Sequence, residues 1–260
     1  MRQQSIDGVE FVRVGGFKTA CLGRDGLVDL VLGTVAERVP GTPAKTMFDI
    51  NGHGLALAFW DKSYHHDLLQ ADLIHADGEP FVMASKALTK SPIPERSATT
   101  DMFHDLSKAG VEHGLKFYML GGTEDVNARC AQHMLAAYPG LQITGRRDGY
   151  FSAADEAAIC EEINASGADV VWVGLGKPLE QAFCLRNRER LNATWLITCG
   201  GCFNYVTGDY VRAPMWMQQR GLEWAHRFAT QPRKLGWRYL TTSPLALLLL
   251  LARTGEYREA

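Results

Sequence analysis

The sequence has no stretch that approaches the roughly 20 consecutive apolar residues needed to cross a bilayer. Its longest apolar run, residues 245–252, is far shorter and suits a core or a membrane surface. The first residues are polar and lack the apolar segment of a secretory signal, so a cytoplasmic chain is expected. A surplus of charge is also missing. The 27 Lys plus Arg stand against 29 Asp plus Glu, a net of -2, and nothing draws the chain as a whole to nucleic acid. No disulfide framework is visible, because the 6 cysteines are scattered through 260 residues. Cys199 and Cys202 form one C-x-x-C, but no second pair supplies the remaining ligands of a structural zinc. They read as small residues ending a buried strand. The absence of G-x-G-x-x-G and Walker patterns argues against nicotinamide and P-loop chemistry.

What the chain does have is a 46% hydrophobic content, enough for one sizeable core. From about residue 45, short apolar runs alternate with longer amphipathic segments. The pattern predicts strands at 45–50, 71–75, 116–120, 141–144, 169–174 and 194–198. It predicts helices at 52–69, 124–138, 153–165 and 178–191. Such alternation implies an α/β fold, a parallel sheet with helices on both faces. Ligands then bind at the carboxyl ends of the strands. Residues 1–44 are less regular and suggest a strand pair and a helix. Residues 1–207 read as the core. From residue 208 the composition changes: Arg212, Arg220, Arg227, Arg233, Lys234 and Arg238 interleave with Trp216, Trp224, Trp237 and Tyr239. Residues 208–260 therefore read as a helical, basic and aromatic appendage. That mixture suits a membrane interface or phosphate groups; a solvated helix pair on the core would carry it equally well.

Three constellations bear on chemistry. Gly121-Gly122, Gly174-Leu-Gly176 and Gly200-Gly201 each follow an expected strand. Glycine admits close approach of a ligand to backbone N–H groups, and helix N-termini favour phosphate; glycine is equally at home in any tight turn. Asp77 precedes Gly78 at a strand end, a good place for a general base and also a common turn pair. In Ser91-Pro-Ile-Pro-Glu-Arg96, two prolines stiffen a loop that can hold Arg96 toward an anion.

Over roughly residues 45–240 these features occur in an order that resembles the WecG/TagA/CpsF family of bacterial glycosyltransferases. The resemblance is carried by Asp72-Leu through Asp77-Gly78, Pro94-Glu-Arg96, Leu120-Gly-Gly122, Tyr138-Pro-Gly-Leu141 and Gly145 through Asp148-Gly-Tyr-Phe151. It continues through Ala168-Asp-Val-Val-Trp-Val-Gly-Leu-Gly176, Pro178, Gly200-Gly201 with Phe203, Gly208, Arg212-Ala-Pro214, Gly221-Leu-Glu-Trp224, Arg227, Pro232 and Arg238-Tyr239.

The resemblance implies a Rossmann-like core and inverting transfer of a sugar from a UDP-sugar to an undecaprenyl-diphosphate-linked saccharide. It implies no metal and no cofactor, a peripheral position on the inner face of the cytoplasmic membrane, and self-association. Asp77 falls on the family's proposed base and Arg96 on its arginine after Pro-Glu. Substrate contacts are implied for Asp49, Asn51, Gly121, Gly122, Tyr150, Gly174, Gly176, Glu180, Gln181, Gly200, Gly201 and Asn204. Lipid-diphosphate contacts are implied for Arg227, Arg233 and Arg238.

The chain departs from the family pattern in three places. Pro178-Leu-Glu-Gln181 stands for Pro-Lys-Gln-Glu, exchanging acid and amide. Asn204 stands for an Asp. Asp49-Ile-Asn51 stands for Thr-Pro-Asn and adds a carboxylate. The departures bear on the donor sugar, N-acetylmannosamine or another hexose, more than on the reaction. A non-catalytic relative that binds a UDP-sugar within a polysaccharide assembly is the alternative.

Overall fold

The computed structural model describes residues 6–214, 216, 217, 225, 226, 228 and 232–257, apart from the side chains of 232–241. The chain opens with an antiparallel hairpin, β1 (Phe11–Val14) and β2 (Phe17–Ala20), and a helix, α1 (Arg24–Ala36). This matches the strand pair and helix expected of the irregular start.

Strands and helices then alternate. β3 (Lys45–Ile50) leads to α2 (Gly52–Trp60) and α3 (Lys62–Leu69), and β4 (Leu73–Ala76) to α4 (Glu79–Leu88) and α5 (Thr99–His113). β5 (Lys116–Gly121) is followed by α6 (Glu124–Ala137), and β6 (Gln142–Arg147) by α7 (Glu156–Ser166). β7 (Val170–Gly174) precedes α8 (Leu179–Asn187), and β8 (Trp195–Thr198) precedes α9 (Cys202–Val206). These six strands form one parallel sheet in the order β4-β3-β8-β7-β5-β6, the expected Rossmann-like sheet.

Every residue of β7 is buried, as a central parallel strand with helices on both faces requires. The period-two alternation of strand side chains divides the interior into two layers. Phe48, Tyr118, Val171 and Leu196 pack into one, and Met47, Phe117, Trp172 and Ile197 into the other. At the sheet edge, β6 buries none of its residues.

One expected helix is two. The chain breaks at Asp61, whose carboxylate accepts the N–H groups of Ser63 and Tyr64 at 2.9 and 3.0 Å and so starts α3 afresh. Asp competes well for such orphan helix-start donors, and the apolar spacing around it does not reveal that.

The final helix, α10 (Pro232–Arg253), packs on α2 and α4, and its Ala246, Leu249 and Leu250 are buried in the core. A short strand, β9 (Gly255–Glu256), then pairs with β1. The far end of the expected appendage is thus in contact with the core. Among the described residues, no helix is long and apolar enough to cross a membrane.

Candidate active site

The carboxyl ends of β3, β4, β7 and β8 carry a continuous chain of polar contacts. It begins where β4 ends. The Asp77 N–H donates to the Ile50 carbonyl at 3.0 Å, which holds its backbone in register with β3. The Asp77 carboxylate accepts the Thr99 N–H at 3.2 Å, at the start of α5, and the Asn51 side-chain amide at 3.0 Å. A helix N-terminus stabilises negative charge, so α5 favours the ionised form there.

Asn51 is itself fixed. It caps α2, its Oδ1 accepting the Gly54 N–H at 3.1 Å, and this leaves Nδ2 to donate. That NH2 group faces Asp77 and, at 3.4 Å, Oδ2 of Asp49. Asp49 is buried in β3. It accepts the Lys177 ammonium at 2.5 Å and the Thr198 hydroxyl at 3.3 Å. Lys177, in the turn after β7, also lies 3.8 Å from Glu180. The second carboxylate oxygen of Glu180 accepts the N–H groups of Gly176 and Gly200, each at 3.0 Å, and so ties the β7 and β8 turns together.

Charges this deep need partners. The side chains of Lys177, Asp49 and Glu180 are 9%, 5% and 0% exposed. Burial alone would lower the pKa of the Lys177 ammonium, but Asp49, Tyr64 and Glu180 outweigh it and raise it. Burial pushes the Glu180 carboxyl up to about 7 against the pull of Lys177. Beside Asp49 in register stands His75. Burial lowers its pKa, its Nδ1 meets the Ser97 hydroxyl at 2.9 Å, and its Nε2 has no partner, so the ring is neutral.

A second cluster surrounds the first turn of α5. Asp101 is hydrogen-bonded by Arg212, and it lies 3.9 Å from Arg96 and 4.0 Å from Arg24. Burial pushes its carboxyl up, but Arg212, with Arg24 and Arg96, holds it below the usual range. Arg24 is held in turn by Asp105 at 2.6 Å. The loop that presents Arg96 buries Ile93 completely, which anchors the proline-stiffened segment.

Beyond β8 the same sheet edge opens into a cleft of about 600 Å³. Gly122, Gly149, Tyr150, Ser152, Gly174 and Leu175 are among its lining residues. Gly121 and Gly174 are glycines for the sake of strand packing: a Cβ on Gly121 would lie 2.2 Å from the Gly174 carbonyl oxygen. Three of the glycine N–H groups expected to face a ligand are used inside the protein. Gly122 donates to the Gly174 carbonyl, and Gly176 and Gly200 donate to Glu180. Gly122, Gly149 and Gly174 leave the cleft wall without side chains where they line it. Tyr150 stands at the rim, 79% exposed.

The structure therefore joins Asp77, Asn51, Asp49, Glu180, Gly176 and Gly200 in one network, with Gln181 against Glu180 at 3.4 Å. It sets Gly122, Tyr150 and Gly174 in the adjoining cleft, with Gly121 beneath. Gly201 heads α9, which begins at Cys202. Asn204 lies in α9, its side chain hydrogen-bonded to Asp209. Arg227 lies outside the described residues, as do the side chains of Arg233 and Arg238. Lys177, Thr198 and Asp101 were not anticipated. The one local sign of Lys177 is a lysine set between glycine and proline at a strand end. Cys199 and Cys202 are buried free thiols, as a strand-end reading requires. Among the described residues, no group of three or more His, Cys, Asp or Glu is placed to hold a metal ion.

Comparison with known proteins gives a consistent result. The profile of the family described as "Glycosyl transferase WecG/TagA/CpsF family" matches residues 12–259. A protein of Bacillus spizizenii named N-acetylglucosaminyldiphosphoundecaprenol N-acetyl-beta-D-mannosaminyltransferase is 30% identical over 187 residues, 72% of this chain and 71% of its own. A protein of the same name from Bacillus subtilis is 29% identical over 194 residues, 75% of this chain and 74% of its own.

Proposed function

Because the chain belongs to the WecG/TagA/CpsF family of glycosyltransferases, we propose that it moves a hexose from a UDP-sugar onto an undecaprenyl-diphosphate-linked saccharide, working at the inner face of the cytoplasmic membrane. The relatives' names supply the acceptor class: both act on an N-acetylglucosaminyl group carried on diphosphoundecaprenol. They also supply the first donor to try, an N-acetylmannosaminyl sugar.

The observation that carries the mechanism is the Asp77 carboxylate, fixed by Asn51 and by the start of α5 on the sheet edge that holds the cleft. In this reading Asp77 takes the proton from the acceptor hydroxyl. The hydroxyl oxygen bonds to the anomeric carbon while the bond to the UDP oxygen breaks on the opposite face. The electron pair leaves with the diphosphate, and the anomeric centre inverts. Arg96, beside Arg24 and Arg212, answers the charge that develops there; donors set in place beforehand lower such a barrier most. The cleft falls within the size range of small-ligand sites and receives the nucleotide sugar, with Tyr150 at its rim. Arg227, Arg233 and Arg238 meet the lipid diphosphate.

The test is UDP release by the purified full chain, with a short-chain lipid-diphosphate acceptor and a panel of UDP-sugars. Acceptor-dependent release with at least one donor is expected; none with any donor would overturn the reading.

A further inference from the structure

Two departures from the family pattern, Asp49 and Glu180, meet in the folded protein, and what joins them is Lys177. Its ammonium reaches Asp49 at 2.5 Å and Glu180 at 3.8 Å, and all three side chains are nearly or wholly shut off from water. Through Asp49 the group also touches the amide of Asn51, whose other contact is Asp77. We propose that Lys177 is a positioning residue for the base: it neutralises Asp49, so that the Asn51 amide serves Asp77 without a second uncompensated carboxylate beside it.

The argument is one of charge and geometry. Asn51 has one NH2 group, its carbonyl being spent on capping α2, and its two N–H bonds serve two carboxylates, Asp77 at 3.0 Å and Asp49 at 3.4 Å. Without the ammonium, two anionic carboxylates would flank that one amide, and like charges close together raise the pKa of one of them. With the ammonium, Asp49 is held by Lys177 and the Thr198 hydroxyl, and the shorter amide contact goes to Asp77. Three neighbouring groups do not take its place. His75 is kept neutral and Cys202 is kept a thiol, both by burial. Asp101 on α5 is matched by Arg24, Arg96 and Arg212. Glu180 and Tyr64 face Lys177 itself.

The inference rests on Asp77 as the base, and its test is the acid limb of the kcat–pH profile, which reports the base in the bound complex. The assay uses whichever of UDP-N-acetylmannosamine, UDP-glucose and UDP-glucuronate releases UDP fastest. Lys177→Met leaves Asp49 uncompensated, so the limb moves up by about one pH unit. Plateau kcat falls about tenfold as the carboxylate loses its fixed orientation, while KM for the donor holds. Asp49→Asn removes one negative charge from the network that Asn51 links to Asp77 and keeps the ammonium, so the limb moves down. A purely structural role predicts no such opposition of sign. Limbs that stay in place in both variants, or that shift in the same direction, overturn the proposal. If Lys177→Met does not fold, Asp49→Asn decides alone: a downward shift upholds the proposal and an unmoved or raised limb overturns it. Asp77→Asn keeps the two readings apart. Retained turnover there removes the base itself, whereas lost turnover there with unmoved limbs in the other two variants removes only the role of Lys177.

Discussion

The two halves of the sheet edge are built in opposite ways. From β4 to β8 the edge is crowded with buried and half-buried polar side chains, each held in place: Asp77 by Asn51, Asp49 by Lys177, Glu180 by two glycine N–H groups. From β7 to β6 it is more open, a cleft where Gly122, Gly149 and Gly174 stand among Phe151, Ser152 and Leu175, with an exposed tyrosine at the rim. The difference follows from two demands. Groups that act on a developing charge must be oriented before the substrate arrives. A site that admits a bulky ligand must leave space, which glycine provides by having no side chain.

If this division of labour is right, substitutions in the two halves fail differently. The largest effect is expected from Asp77→Asn, with turnover down about a thousandfold and UDP binding kept. Calorimetric titration with UDP beside a UDP-release assay checks it, and undiminished turnover would end the claim that the crowded half carries the chemistry. Next comes Gly121→Ala, on the open side. Its φ of 133° and the 2.2 Å approach of a new Cβ to the Gly174 carbonyl leave no room, so a loss of about 3 kcal/mol or an insoluble product is expected. Urea unfolding measures it; a loss below about 1 kcal/mol would mean that the strand ends relax apart freely. Tyr150→Ala should leave stability within about 0.5 kcal/mol, since the ring is exposed. Its expected mark is a severalfold rise in donor KM, and unchanged KM would remove Tyr150 from the cleft's function.

The smallest effect sharpens the contrast through pH. Burial lowers the pKa of His75, so the unfolded chain binds a proton at His75 that the folded chain does not. This contribution to stability is therefore intact above the ordinary histidine value of 6.5 and shrinks as pH falls below it. In His75→Gln, stability should fall less steeply between pH 6.5 and 5, by at most one proton's worth of slope. Equal slopes in the two proteins would show that His75 does not titrate in this way.

Much of the fold could be read from the residues in order. Strand β3 runs over the expected residues, and the other core strands fall within a few positions of expectation, because a buried strand's apolar run is a local property. The break at Asp61 was less legible, since a capping carboxylate sits within an otherwise helical stretch. In the site, Asp77 was visible as an acid at a strand end and Arg96 as a cation behind two prolines. Lys177 was not, because its nearest partner, Asp49, lies 128 residues away in the chain.

The sequence alone determined the alternation of strands and helices, the glycine-rich strand ends and the family signature, all written in residues close together. Only the tertiary structure decided which of those ends meet. Asp49 and Lys177 are 128 residues apart and become partners because the sheet seats β8 next to β3 and β7 next to β8. That order is set by packing two hydrophobic layers against a parallel sheet, a long-range balance that no local pattern encodes.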